Sequence, residues 1–423
     1  MRTLWKILTS LRLTVICLSF AIVLVWIGTV AQADEGLYQA QARYFKHWMV
    51  WGATLWGHKI PLILPGGYLI GTVLLVNLIC AHIKRFDLSN KKIGINLTHL
   101  GVILLLLGQL ATDMLSYESH LSFQEGETRH YSEGHREYEL AFVRDAGPDK
   151  EEVVAIPTST VAQGATITHE KLPFSVKVQK FWPNSSPSFR APAMKNAPPL
   201  ASNGVAQDFD FVEAPDAKTM DDKNFPTAVI ELVAPSGSLG TWVTSGWASD
   251  PKTAQALKIS FTRQFGAQLA ATMIAKLTAP QTVEVAGTRY TFALRPERVY
   301  HDFGVSLLKT THEVYPGTIT SSNTQGIPKN FQSRVRIDNP AKNEKREVDI
   351  YMNNPLRYAG LTFFQYQMGR DEMGERGTST LQVVRNPSWI TPYIGCAVVG
   401  LGMLVQFMYH LVHFTQKRRG AAA

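Results

Sequence analysis

The sequence predicts a membrane protein in which four transmembrane α-helices carry a large exported β-rich domain, a sandwich or open barrel, between the third and fourth helices. Two observations lead to this fold class. Four uncharged apolar runs each approach the roughly 20 residues that a helix needs to cross a bilayer. The long segment before the last run alternates apolar and polar residues with the period of a β-strand. The predicted spans cover residues 13–31, 61–82, 93–112 and 387–413.

Basic residues beside these spans predict the orientation of the chain. They precede the first span, fill the short loop 83–92 and form the tail 414–423. Because cytoplasmic loops carry an excess of Lys and Arg, both termini and the short loop are expected in the cytoplasm. A membrane domain 1–115 then leads into an exported domain 116–386. An uncleaved first helix satisfies all of these loop charges, although the basic start and Ala31-Gln-Ala33 also resemble a cleavable signal peptide.

Composition narrows the class of function. The net charge of +8 owes much to these flanks, so it indicates contact with membrane lipid rather than binding of nucleic acid. The three cysteines, Cys17, Cys80 and Cys396, lie in or at the end of apolar runs and form no CxxC pair. The chain is therefore not expected to carry thiol–disulfide chemistry itself.

Short alternating segments predict the strands of the exported domain. Residues 174–181 and 228–233 have period two, and 282–285 with 289–294 form a hairpin around Ala286-Gly287. Two further hairpins are predicted, at 334–337 with 347–351 and at 361–366 with 380–384. The Pro-rich segment 183–226 is expected to be a long loop where a partner docks.

The outer loop 32–60 collects aromatic residues with two histidines. Its members are Tyr38, Tyr44, Phe45, Trp48, Trp51, Trp56, His47 and His58. They favour an aromatic belt on an amphipathic helix at the membrane interface. A shelf for a planar ligand is the alternative.

His99 is the main candidate for a ligand residue. It is the single titratable side chain within the apolar run 93–112, where ionisable groups are expensive and generally functional. Gly94, Gly101 and Gly108 form a stripe that allows a second helix to approach closely, and His99 lies beside that stripe, toward a neighbouring cleft. Its imidazole either ligates haem iron or another metal or donates a hydrogen bond to a partner helix. His82, His410 and His413 are near enough to water to be explained by solvation.

The exported domain carries no HExxH, GxSxG, P-loop or GxGxxG motif, so neither a hydrolase nor a nucleotide enzyme is expected. The exported histidines are predicted to be surface or turn residues. They are His120, His130, His135, His169, His301 and His312.

Motifs along the whole chain resemble the ResB (CcsB) proteins of System II cytochrome c biogenesis. The resemblance rests on their order rather than on any one of them. In the membrane domain they are Ser10-Leu-Arg-Leu-Thr14, Pro65-Gly-Gly67, Leu75-Val-Asn-Leu78 and Thr98-His-Leu-Gly101. In the exported domain they are Leu172-Pro-Phe-Ser175, Asn330-Phe-Gln-Ser333, Asn354-Pro-Leu-Arg-Tyr-Ala-Gly360 and Phe363-Phe-Gln365.

This resemblance implies a subunit of a cytochrome c synthase in the bacterial inner membrane, with its large domain on the periplasmic side. Such a subunit, inactive alone, would work with a CcsA/ResC-type partner that carries the WWD segment absent from this sequence. Together they would carry haem b outward for thioether attachment to apocytochrome c at CxxCH, with thiol-reducing proteins involved only indirectly. The resemblance implies His99 as iron ligand.

Lys84, Arg85, Lys91 and Lys92 are candidates for the haem propionates as well as for the topological signal. Two rival functions remain open from the sequence. One is a single-chain b-type electron-transfer cytochrome with His82 and His99 as ligands, and the other is an assembly scaffold without a cofactor.

Overall fold

A computed structural model shows a chain that divides into two compact units. The helical unit comprises Met1–Tyr117, Lys218–Asp221 and Arg385–Ala423, and the β unit comprises Glu118–Ala217 and Asp222–Val384. The structure describes residues 2–87, 89, 91–147, 150–190, 198–219, 222–249, 251–317, 327–370 and 375–422.

The helices confirm the four predicted spans. The α-helices of the described residues are α1 (Arg2–Leu8), α2 (Leu11–Glu35), α3 (Leu37–Ala40), α4 (Gly67–Arg85), α5 (Ile93–Leu115), α6 (Pro251–Phe265), α7 (Ala267–Leu277) and α8 (Thr391–Ala422). Four of them, α2, α4, α5 and α8, are long and apolar enough to cross a membrane. The fold is therefore that of a membrane protein whose spans flank a large β-rich segment.

The strands of the described chain are antiparallel and mostly short. They are β1 (Met49–Leu55), β2 (His58–Pro65), β3 (Tyr117–Gln124), β4 (Thr128–Gly147), β5 (Lys150–Pro157), β6 (Thr166–Ile167), β7 (Ser175–Trp182), β8 (Ser185–Phe189), β9 (Phe209–Glu213), β10 (Thr227–Ala234), β11 (Gly237–Ser245), β12 (Gln281–Val285), β13 (Thr288–Val314), β14 (Pro328–Asn339), β15 (Glu344–Tyr351), β16 (Leu356–Tyr358), β17 (Leu361–Arg370) and β18 (Gly377–Arg385).

The segment before the second span departs from the prediction. A helix was expected from residue 61, but β1 and β2 form a hairpin and α4 begins only at Gly67. Pro61 and Pro65 explain the difference, because the residue before a proline is disfavoured in helical conformation and a proline inside a helix removes a hydrogen bond. The expected interfacial helix over the aromatic loop is likewise replaced, by α3, one π-helical turn at Gln41–Phe45 and β1.

Polar side chains join α2 to α4. Ser10 caps α2 by accepting a hydrogen bond from the backbone N–H of Arg12. The hydroxyl of Thr14 donates to Oδ1 of Asn77, at 2.6 Å, and Nδ2 of Asn77 donates to the carbonyl of Leu8 at 2.7 Å. Asn77 is 1% exposed. These contacts give Ser10, Thr14 and Asn77, three members of the sequence motifs, a structural role.

The glycine stripe of α5 packs directly against α8, as the sequence predicts. A Cβ placed on Gly94 would lie 2.6 Å from the backbone nitrogen of Gln406, and one placed on Gly101 would lie 2.8 Å from that of Val399. Such distances leave no room for a side chain. The close approach of the two backbones therefore requires these glycines, and it fixes which face of α5 turns toward α8.

Two hydrophobic cores of the β unit both include residues of the long strand β13. One core lies between the four-stranded sheet β11-β10-β7-β6 and the half of the ten-stranded sheet that includes β5 and β12. The other half, β15-β14-β13-β4-β3-β18-β17-β16, encloses the second core. The hydroxyl of Tyr358 on β16 donates to Glu344 on β15 at 2.8 Å, so the two edges of this half approach each other. The unit thus combines a sandwich with an open barrel.

The three predicted hairpins are confirmed. Val285 pairs with Thr288 around Ala286-Gly287, where both turn residues have positive φ, 50° for Ala286 and 75° for Gly287, as a two-residue hairpin turn requires. Strands β14 and β15 pair from Gln332 with Tyr351 to Asn339 with Glu344. Strands β17 and β18 are also hydrogen-bonded neighbours. The alternating sequence thus predicts both the strands and their partners.

Two parts of the β unit were not foreseen. Helices α6 and α7 pack their apolar residues into a further core with Val229 and Val243. Within the expected loop 183–226, β8 and β9 pair as a two-stranded sheet. The predicted loop is thus partly regular structure, and its residues 191–197 and 220–221 lie outside the described residues.

Candidate functional site

His99 lines a cavity of about 400 Å³ in the helical unit. The glycine stripe fixes the rotation of α5 against α8. His99, the residue after Thr98, therefore lies beside the contact between the two helices rather than within it. The cavity walls are mainly apolar, and the described residues that line it are Ile95, Thr98, His99, Met403, Gln406, Phe407 and His410. An imidazole thus faces a space bounded by aliphatic, aromatic and thioether groups.

The structure brings His410 to the same cavity. The side-chain amide of Gln406, one turn earlier on α8, lies with Nε2 at 2.8 Å from Nε2 of His410 and orients that ring. The buried Oε1 of Gln406 has no hydrogen-bond partner among the described residues. The sequence explained His410 by solvation at the membrane edge. It did not predict this position, because the pairing of α8 with α5 decides it.

His82 lies on the other side of His99. Their ring centroids are 6.0 Å apart and the ring planes meet at 79°, and His82 also contacts Phe86. His82 on α4 thus contacts His99, and His410 on α8 lines the same cavity as His99, although His82 and His410 are 328 positions apart along the chain. His82 is not among the described residues that line the cavity.

The four basic candidates for propionate binding stand apart from this cavity. Nζ of Lys84 donates to the hydroxyl of Thr9 at 2.9 Å, and Nζ of Lys92 pairs with Asp87 at 3.0 Å. Arg85 and Lys91 are exposed. None of the four is among the described lining residues. Their placement on the short loop agrees with a role in orientation and lends no direct support to propionate binding.

The chemistry of the cavity fits a haem. Neutral imidazole is a common axial ligand of haem iron, and His99 and His410 both offer one. The largely apolar lining, with Ile95, Met403 and Phe407, suits the porphyrin face. Haem would be held by His99 and the walls of the cavity, with His410 as the second imidazole in reach of the same space.

Histidines of the β unit occupy structural positions rather than a separate site. The ring of His120 contacts those of His135, with centroids 4.9 Å apart, and Tyr366, at 4.8 Å, both in tilted arrangements. Nε2 of His301 lies 3.0 Å from the hydroxyl of Ser132, and burial lowers the pKa of His301 below its ordinary value. No group of three or more potential metal ligands occurs among the described residues.

The β-unit motifs found in the sequence meet in space. The hydroxyl of Ser333 donates to Oε1 of Gln365 at 2.7 Å and contacts the hydroxyl of Ser379 at 2.8 Å. Ser333 is fully buried, so these bonds satisfy a polar group inside the barrel. Ala359 and Gly360, at the end of another motif, have positive φ and form the turn between β16 and β17. The motifs therefore hold the barrel together.

Comparison with known proteins finds similarity to one family over part of the chain. The ResB-like family matches residues 271–377, the region that contains the motifs of the barrel. Over 112 residues the chain is 30% identical to Protein NrfI of Wolinella succinogenes, a match that covers 26% of this chain and 11% of NrfI. The chain is thus similar to the ResB-like family over this region and spans a small part of the length of NrfI. Its four long apolar helices are those of an integral membrane protein.

Proposed function

We propose that the chain is the haem-carrying subunit of a System II cytochrome c synthase. With a CcsA/ResC-type partner that bears a WWD segment, it moves haem from the cytoplasmic to the outer side for attachment to apocytochrome c. The observation that supports this proposal is the cavity beside α5 and α8, which presents His99 within apolar walls. The match of residues 271–377 to the ResB-like family supports the cytochrome c context.

In this proposal each residue of the cavity has a distinct task. Bound haem supplies the iron that an imidazole ligates and the vinyl groups that finally react with cysteine thiols. His99 would hold the iron through a neutral imidazole, so that no charge is buried in the membrane. Met403 and Phe407 exclude water from the ring face, and Gln406 orients the imidazole of His410.

Substitution of His99 tests the proposal directly. We expect His99→Ala to abolish the Soret absorbance of the complex purified with its partner, and added imidazole to restore it by occupying the vacated ligand position. His410→Ala should weaken haem retention without abolishing it, since His410 shares the cavity. His413→Ala, on the same helix, is the matched control. A full Soret band in His99→Ala would contradict the assignment.

The 6.0 Å separation of His82 and His99 favours a second candidate, a single-chain b-type cytochrome. In such a protein His82 and His99 would together hold the haem iron, and the haem would supply reversible electron transfer. The described cavity, however, opens toward α8 and not between these two rings. If the chain is a single-chain cytochrome, it binds haem without a partner, and His82→Ala should remove the haem as fully as His99→Ala. If the chain is a synthase subunit, the His82→Ala variant should retain most of its haem.

The outward direction of transport depends on orientation, which we propose from the loop charges. A reporter that is active only outside the cytoplasm should be active when fused after Tyr117 and inactive when fused at Ser89 or after Arg419. Activity at Ser89 would overturn both the orientation and the proposed path of haem.

A further inference from the structure

A second cavity, of about 370 Å³, lies at the opposite end of α5 from His99. It is bounded by the beginning of α4, the end of α5 and the π-helical turn before β1. Its lining is largely aliphatic, with polar groups from Thr72, Gln109 and a cluster described below. The space is of the size that takes a small organic ring.

Lys46, Tyr68 and Asp113 form a polar cluster in its wall. Nζ of Lys46 pairs with Oδ1 of Asp113 at 2.9 Å, and the hydroxyl of Tyr68 donates to Oδ2 of the same carboxylate. The hydrogen bond with Asp113 raises the pKa of Lys46. The side chain of Asp113 is only 18% exposed, whereas that of Lys46 is 58% exposed. The cluster is thus electrically neutral, and its ammonium remains accessible for a further hydrogen bond.

Two glycines of α4 shape this cavity. A Cβ placed on Gly67 would lie 2.4 Å from the carbonyl oxygen of Phe45, so this glycine lets the turn that carries Lys46 lie against the start of α4. A Cβ placed on Gly71 would meet no atom within 4 Å, although Gly71 lines the cavity. The space at Gly71 is therefore open, and a side chain added there would enter it.

We infer that this cavity binds an isoprenoid quinone. Lys46 is the one cation among its described lining residues, and Asp113 already neutralises it. A porphyrin with two propionates or an anionic phospholipid would bring uncompensated negative charge into an apolar wall, which is unfavourable. A neutral planar ring with two carbonyl acceptors suits the donors present, the ammonium of Lys46 at one side and the amide of Gln109 or hydroxyl of Thr72 at the other. Its tail would remain among lipid chains.

Photolabelling of the full chain tests this inference. In phosphatidylcholine nanodiscs, a photoreactive short-tailed ubiquinone should label α4 and the end of α5, as mapped by mass spectrometry. Excess unlabelled quinone should abolish this labelling. Gly71→Leu should reduce it at least tenfold, whereas Gly400→Leu, at a glycine of α8 whose added Cβ also meets no atom within 4 Å, should leave it unchanged.

Lys46→Gln and Tyr68→Phe provide gentler variants that keep the helix packing. Each should weaken quinone binding severalfold, and Lys59→Gln on the exposed hairpin should not. Equal competition by phosphatidylglycerol or by hemin would identify a lipid or porphyrin groove and overturn the inference, as would unchanged labelling of Gly71→Leu. His99→Ala should label normally, so failure of the haem proposal is distinguishable from failure of this one.

Discussion

The two sides of α5 differ in how they meet their neighbours. Against α8, Gly94 and Gly101 bring the backbones so close that no added methyl group fits. Against α4, Gly71 faces open space, and the contacts are made at the ends, by the rings of His82 and His99 and by Tyr68 with Asp113. The backbones of α5 and α8 thus touch at Gly94 and Gly101, whereas the α4 side leaves open space at Gly71.

This difference shows how a membrane helix can hold its position and still present a binding side chain. Apolar surface gives helices little reason to associate within lipid, so close packing of small residues has to supply the attraction. The stripe on α5 supplies it on one side alone. His99 is consequently fixed in rotation by contacts that it does not make itself, and the cavity that it lines together with residues of α8, beside those glycine contacts, remains open.

The largest effect should come from closing the gap between α5 and α8. Gly101→Leu would drive a side chain into the backbone of Val399 and the carbonyl of Gly395. Overpacking costs about 1–3 kcal/mol of folding free energy where side chains can shift. A clash with the backbone should cost at least the upper value of that range, because the backbone cannot move aside as a side chain can. We expect the variant to lose most folded protein on size-exclusion chromatography after mild heating, together with its haem. Gly400→Leu is the control for the added bulk, and equal stability of the two variants would refute the closed interface.

A smaller effect is expected at the contact of α2 with α4, which is made by a polar side chain rather than by close packing of small residues. Asn77→Leu removes the acceptor of Thr14 and the donor to the carbonyl of Leu8. Hydrogen bonds between membrane helices contribute about 0.6 kcal/mol on average and up to about 1.7 kcal/mol. The free energy of unfolding in a detergent titration should therefore fall by about 1–2 kcal/mol. Thr14→Val should lower it less, and Thr29→Val, whose hydroxyl bonds within its own helix, should not change it.

Much of the helical unit could be predicted from the sequence because its signals are local. Hydropathy marks the four spans, and the seven-residue spacing of Gly94, Gly101 and Gly108 indicates a packed face. The predicted start of the second span at residue 61 was wrong, because apolar content alone does not distinguish a strand from a helix. Pro61 and Pro65 are the residues that indicate a later helix start. The sequence resemblance pointed to His99, and the haem role of that residue stays a prediction.

The neighbours of His99 could not be predicted in the same way. His410 reaches the cavity only because α8 returns to α5 after the whole β unit. Lys46 and Asp113 are likewise 67 positions apart, and no local pattern relates them. In the β unit, alternation predicted the hairpins, but Ala254, Leu257 and Phe261, which repeat with helical spacing on α6, were overlooked.

The smallest effect we predict concerns a hydrogen bond at the end of the contact between α5 and α8. The hydroxyl of Ser388, just before α8, lies 2.7 Å from that of Thr112 and 3.4 Å from the carbonyl of Gly108. Because the backbone approach at Gly94 and Gly101 does not depend on this bond, Ser388→Ala should cost about 0.6 kcal/mol and leave haem content unchanged. Ser19→Ala, whose hydroxyl bonds only to Val15 of its own helix, should have no measurable effect in the same detergent titration. A loss of stability in Ser388→Ala as large as that in Gly101→Leu would mean that this hydrogen bond, rather than close packing, holds α5 against α8.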